Sequence, residues 1–263
     1  MNRSLKRASR ILGVMIAGVL LASCENSPFS LESRDTLKVD SVSHLASVAE
    51  ANGDYGTAVL LYRKAVAAHP EKPELQVAFG EALLGGGDLD AAEQAFRKAL
   101  ALSPERADAH VALGRIFLAK HQPNQALTEF EAALGTEANN VRALNGSGIA
   151  LDMLARSAEA QKAYRSALAI SPDDRAVRNN LGLSLAFSGN YDEAIAGLSK
   201  LALEPGATAR TRQNLALALG LKGQSAEAAR VARADLDEGA VRDNQRFYDL
   251  VRTTVKPKAA GVP

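Results

Sequence analysis

The chain has 263 residues and a formal charge of +1, enough for one large domain or two small ones. The near-neutral balance argues against a nucleic-acid partner, and the single cysteine, Cys24, excludes an intrachain disulfide. With 47% apolar residues, 5% aromatic and no tryptophan, the expected core is tight helix packing through alanine and leucine.

Residues 1–10 are basic, and Ile11 to Ala22 is an unbroken apolar run. The run is a signal-peptide core, too short for a membrane-spanning helix, which needs about 20 residues. It runs into Leu21-Ala22-Ser23-Cys24, which resembles the bacterial lipobox. That resemblance implies cleavage after a leader of residues 1–23, acylation of Cys24 and membrane attachment through the lipid. Glu25 rather than Asp follows the cysteine, so the resemblance implies the outer membrane, on its periplasmic face. Residues 24–38 are polar and are expected to be a tether, with a short extra helix packed on the adjoining domain as the alternative.

Beyond the tether the chain repeats every 34 residues. One small position reads Ala58, Ala92, Ala126, Ala160, Ala194 and Ala228. A glycine position reads Gly80, Gly114, Gly148 and Gly182, and an aromatic position reads Tyr62, Phe96, Phe130 and Tyr164 before relaxing to Leu198 and Ala232. Pro70, Pro104 and Pro172 end the units. Small residues let two helices cross closely, the aromatic fills the wedge between hairpins, and proline stops the second helix. The pattern resembles the tetratricopeptide repeat, a 34-residue helix hairpin. It implies an all-α, right-handed superhelical solenoid of about six hairpins over residues 39–252. The repeats are placed at 39–72, 73–106, 107–140, 141–174, 175–208 and 209–237. Residues 239–252 form a capping helix built on Val241, Phe247, Tyr248 and Val251, and residues 253–263 a frayed tail. Gly85-Gly86-Gly87 reads as a loose turn in the second repeat.

Nothing in the pattern supports catalysis. His44, His69, His110 and His121 are scattered without metal spacing, and His110 reads as a solvated helix residue. There is no nucleophile elbow, phosphate loop or zinc-protease motif. The chain is therefore expected to be non-enzymatic, with no metal, cofactor or small-molecule substrate.

Binding residues are sought on the first helices of the hairpins, which line the concave face in this repeat family. Asn145, Ile149 and Met153 stand at i, i+4, i+8, as do Asn179, Leu183 and Phe187, and Gln213, Leu217 and Leu221. Arg142, Asn180, Arg210 and Asn214 flank them. Amides that donate and accept, above apolar rows, suit a partner's backbone or an amphipathic helix. The same rows equally suit packing between repeats, with the amides solvated.

The segments Asn179 to Ala186 and Arg212 to Ala218, framing Pro205-Gly206-Ala207-Thr208, together with Ala234-Asp235-Leu236, are similar to the TadD lipoproteins of tight-adherence (Flp) pilus systems. The resemblance implies a scaffold that helps the outer-membrane secretin of the pilus machine assemble or localise. A general periplasmic adaptor for envelope or peptidoglycan machinery and a regulatory subunit of an enzyme remain alternatives.

Overall fold

A computed structural model describes residues 31–254. The leader, Cys24 and residues 24–30 of the tether, and the tail beyond residue 254, lie outside the described residues. Thirteen helices fill the described residues: α1 (Leu31–Ala51), α2 (Tyr55–Ala68), α3 (Pro73–Gly85), α4 (Leu89–Leu102), α5 (Ala107–Ala119), α6 (Pro123–Thr136), α7 (Val141–Met153), α8 (Ser157–Ile170), α9 (Arg175–Phe187), α10 (Tyr191–Leu203), α11 (Ala209–Lys222), α12 (Ser225–Ala232) and α13 (Glu238–Thr254). Each packs on the next, giving six hairpins and a final helix.

The odd-numbered helices also touch one another from hairpin to hairpin, as α5 touches α7 and α9 touches α11, whereas the even-numbered helices do not. The array therefore curves with the odd helices on its inner side. Residues 31–38, assigned to the tether, are helical and continue into α1. No glycine or proline falls between Leu31 and Ala51 to stop the helix earlier. The last helix likewise runs further than expected, by one residue at its start and two at its end, and α12 is short, at 8 residues.

The register follows from sterics. The alanine series is sealed, at 0% exposure from Ala58 through Ala194 and 1% at Ala228. The glycine series lies beneath the aromatic series of the same hairpin. A Cβ on Gly80, Gly114 or Gly148 would stand 2.8, 2.6 and 2.4 Å from the rings of Phe96, Phe130 and Tyr164. Phe130 is clasped from both sides, because a Cβ on Gly146 of the next hairpin would also come within 2.3 Å of it. The aromatic thus fills the hairpin crossing as well as the wedge beyond it. In hairpin six, where Ala232 replaces the aromatic, Tyr248 of α13 supplies the ring and lies over Gly220. Val241 and Tyr248 are buried by this cap, but Phe247 is not.

The glycine run of the second repeat has steric duties. Gly85 closes α3 under the ring of Tyr55, which a Cβ would meet, and Gly87 takes φ +85°. Asp54, Asp88, Asn140, Asp174 and Thr208 cap their helices by accepting from the backbone N–H three residues on.

The core is not continuous. One apolar cluster runs from Leu83 to Val177, and a second from Leu185 to Tyr248. Partly buried Leu181 touches both. The break falls inside α9, and the polar residues of the second half gather there.

Candidate functional site

At that break the inner face opens into a cavity of about 490 Å³ between α7, α8, α9 and the start of α11. Ile149 and Met153 come from α7, Leu183 and Phe187 from α9. The cause is visible along the repeat. Hairpin three fills the seam with Ile116 and Leu118, whereas the corresponding positions hold Ala150 and Asp152 in α7, and Ser184 and Ala186 in α9. Of these four, Asp152 and Ser184 line the cavity, where they are smaller or more polar than the Leu118 and Ile116 that hairpin three has at the same repeat positions.

The cavity carries a carboxylate. Asp152 accepts a hydrogen bond from Ser184 Oγ at 2.7 Å and from Tyr164 Oη at 3.0 Å. Burial raises the Asp152 pKa above the usual carboxylate range, against the lowering effect of the two hydroxyls. The same desolvation, with the adjacent carboxylate, pushes the Tyr164 phenol up. Hairpin one carries a parallel pair, in which Tyr62 Oη donates to Glu50 at 3.1 Å. Burial lifts Glu50, and burial followed by the Glu50 charge pushes Tyr62 up to about 12.

Sequence reasoning did not find Asp152, although a signal was present. Each tyrosine of the aromatic series has an acid 12 residues before it, Glu50 for Tyr62 and Asp152 for Tyr164. Each phenylalanine has a leucine there, Leu84 for Phe96 and Leu118 for Phe130.

The structure sorts the sequence-predicted residues. Ile149, Met153, Asn180, Leu183, Phe187 and Arg210 line the cavity. Met153 and Phe187 project from its rim, at 42% and 63% exposure. The amides bond to each other. Asn180 Nδ2 donates to Asn145 Oδ1 at 3.0 Å, and Asn214 Nδ2 donates to Asn179 Oδ1 at 3.1 Å. These bonds tie successive odd helices, and Asn179 is buried, so it offers no amide to a partner. The rows at i, i+4, i+8 do not keep to one face. Four residues overshoot a turn by about 40°, so Asn179 turns against the packed helices and is buried, while Phe187, about 80° further round, stands exposed at the cavity rim.

The row in α11 does not join the groove. Leu221 is buried and Gln213 exposed, because α13 crosses the later turns of α11 and covers them. Leu217 packs at the second core cluster, and Arg142 is exposed away from the cavity lining. His110 is not solvated. Its Nδ1 lies 2.7 Å from Glu129 and its Nε2 3.1 Å from the carbonyl of Pro104. Among the described residues no group of three or more His, Cys, Asp or Glu is placed to hold a metal ion. No described helix is long and apolar enough to cross a membrane.

Comparison with known proteins bears on this geometry. Residues 42–157 match the family described as the Cilia and flagella-associated protein 70 middle TPR-like domain, and residues 154–210 match the Tetratricopeptide repeat family. The described residues form a tetratricopeptide-like repeat array. The array is similar to a tetratricopeptide repeat protein from Parabacteroides merdae, with TM-score 0.64 and 16% identity over 83% of this chain and 87% of that one. It is similar to PilF of Pseudomonas aeruginosa, with TM-score 0.63 and 18% identity over 86% and 95% of the two chains. It is also similar to YrrB, a TPR protein with an unusual peptide-binding site, with TM-score 0.57 and 22% identity over 70% and 97%. A stretch of 55 residues is 42% identical to the uncharacterized protein y4yS of Sinorhizobium fredii, covering 21% of this chain and 30% of that protein.

Proposed function

We propose that this array is a non-enzymatic scaffold that holds a segment of a partner protein in the groove over α7 and α9. The observation that carries this reading is the cavity itself, where Met153 and Phe187 stand exposed on the inner face beside Ile149 and Leu183. An apolar groove on rigid helices is a ready seat for a peptide or an amphipathic helix. The description of YrrB as a peptide-binding array of the same fold is consistent with that use. The reading extends to place and partner. The lipobox supports anchoring through acylated Cys24 on the periplasmic face of the outer membrane. The resemblance to TadD lipoproteins supports a role in assembling or localising the secretin of a tight-adherence pilus.

Three measurements test the parts separately. Leu183→Ser with Phe187→Ser is expected to weaken partner capture from solubilised envelopes while helicity is kept. Undiminished capture by that variant rejects the groove. Mass spectrometry of the mature chain is expected to show a diacylglyceryl-modified Cys24 at the amino terminus, and an unmodified cysteine rejects the anchor. In cells lacking the chain, secretin multimers are expected to be lost from the outer membrane. Normal multimers there reject the secretin role and leave the scaffold reading standing.

A further inference from the structure

Resting on the groove reading above, we propose that the cavity receives a lysine or arginine side chain of the bound segment. The stem would lie along Ile149, Met153, Leu183 and Phe187, with the cationic head at Asp152.

Charge is the first argument. Asp152 is only partly exposed, yet among the described residues it forms no ion pair, and its partners Ser184 and Tyr164 are neutral hydroxyls. Other shielded acids of the array have cations. Glu93, at 17% side-chain exposure, is paired with Lys120 and Arg97, and Asp235, at 12%, with Arg212. Glu50 shares the tyrosine arrangement without an ion pair, but it does not line this cavity. A carboxylate has about four acceptor sites, and the two hydroxyls use two of them.

The fold does not require the charge. Hairpin three has Leu118 and Phe130 where hairpin four has Asp152 and Tyr164, and it packs with no polar atom at these positions. An unpaired acid retained in a half-apolar cavity weighs against stability unless a cation arrives. The walls suit one. Lysine and arginine carry long apolar stems, which the aliphatic walls and the Phe187 ring at the rim would cover. Arg210, also at the cavity, makes no ion pair among the described residues. It sets a second requirement, an acidic group on the segment beside the basic one.

The test uses the full chain in detergent and a random-peptide library displayed on phage. Selected peptides that require Phe187 are expected to share a lysine or arginine. Replacing that residue by norleucine, which keeps the stem and removes the charge, is expected to weaken binding about tenfold or more. Asp152→Asn keeps an acceptor for one hydroxyl and turns an amide N–H2 toward the oxygen of the other, which can accept from it, and is expected to produce the same loss, with no further loss when the norleucine peptide is used. The norleucine peptide reads the charge on the unaltered protein, so the result does not depend on the variant folding. Peptides that require Phe187 but bind equally well with norleucine overturn the basic-side-chain inference and leave the groove intact. If no selected peptide requires Phe187, both readings fall.

Discussion

Hairpins three and four occupy neighbouring places in one array and are built to the same register, but they are sealed differently. In α5 the seam toward the next hairpin is Val111, Leu113, Ile116 and Phe117, all buried and all apolar. The matching residues of α7 are Asn145, Ser147, Ala150 and Leu151. All four of the first set belong to the first apolar cluster, whereas the second set reaches it only through Ala150 and Leu151, and that cluster ends at Val177, before Leu185. The two hairpins share the alanine and glycine positions that fix helix spacing and differ in what fills the space between the helices. A repeat fold can therefore open a binding cavity without altering its backbone, by replacing filler and keeping spacers.

The comparison predicts which spacers are hardest to change. Gly114→Ala sets a Cβ against the Phe130 ring, which Gly146 already clasps from the other side. Gly182→Ala sets one against Leu198, an aliphatic chain that can turn aside. Gly114→Ala is expected to cost about 1–3 kcal/mol or more, and Gly182→Ala clearly less. Urea denaturation of both variants measures the order. Equal costs would mean that the aromatic and the leucine slots are packed alike.

Next in size is the exchange of one hairpin's filler for the other's. Asp152→Leu places the residue of hairpin three into hairpin four and strands the hydroxyls of Tyr164 and Ser184, at a cost of about 1–3 kcal/mol. Adding Tyr164→Phe completes the conversion and is expected to recover much of that loss, which a double-mutant cycle reads as coupling. Acidity gives an independent check. Burial holds the folded-state pKa of Asp152 above its unfolded value, so the native state binds the proton more tightly. Stability from this group is lost as pH rises from the unfolded to the folded pKa, and regained on acidification through the same interval. Wild type should therefore gain on Asp152→Asn as pH is lowered from neutral. Parallel pH profiles would show that burial exerts no such effect.

What the sequence made legible was the spacers, and the reason is physical. A position that must be small in every hairpin recurs at fixed period, so Ala58 to Ala228 and Gly80 to Gly182 announce themselves. The cavity was legible only in outline. Ile149, Met153, Leu183 and Phe187 were found because apolar residues at helical spacing share a broad face. Asn179 and Leu221 were misplaced because four-residue steps drift around the helix, and because α13 covers the end of α11 in a way no repeat pattern specifies. Asp152 was hidden because its partner lies in the next helix of the hairpin. A pairing of acid with tyrosine, and leucine with phenylalanine, shows only when two repeat positions are read together.

A smaller effect is expected from the amide ladder. Asn179→Val with Asn214→Ala gives the seam the residues found at Val111 and Ala112. Asn179→Val alone removes the acceptor of Asn214 Nδ2 and is expected to cost about 0.5–1.5 kcal/mol. The pair together should cost less than either change predicts by addition. Additive losses would show that the amides act separately, and that the ladder does not distinguish the second half from the first.

The smallest expected effect is a gain, and it tests whether the two hairpins turn alike. The turn within each hairpin places one residue in the left-handed region, at Gly53, Gly87, His121, Ala155, Gly189 and Gly223. After each of them the backbone closes the same bond, as in Asp88 N–H to Leu83 O, Gln122 N–H to Phe117 O and Arg156 N–H to Leu151 O. Hairpins three and four alone in this series lack glycine, and their φ values are 56° at His121 and 58° at Ala155. A side chain there costs about 1–2 kcal/mol, and glycine's extra freedom in the unfolded chain returns about 0.5–1 kcal/mol of that. Both side chains are exposed, so no buried contact is lost with them. His121→Gly and Ala155→Gly should each stabilise the array by about 0.5–1 kcal/mol, read as a higher urea midpoint, and Gly189→Ala should lose a similar amount. Equal gains at 121 and 155 would place the whole difference between the hairpins in their seams. A gain at 121 without one at 155 would mean that the turn beside the cavity is held differently from its neighbour.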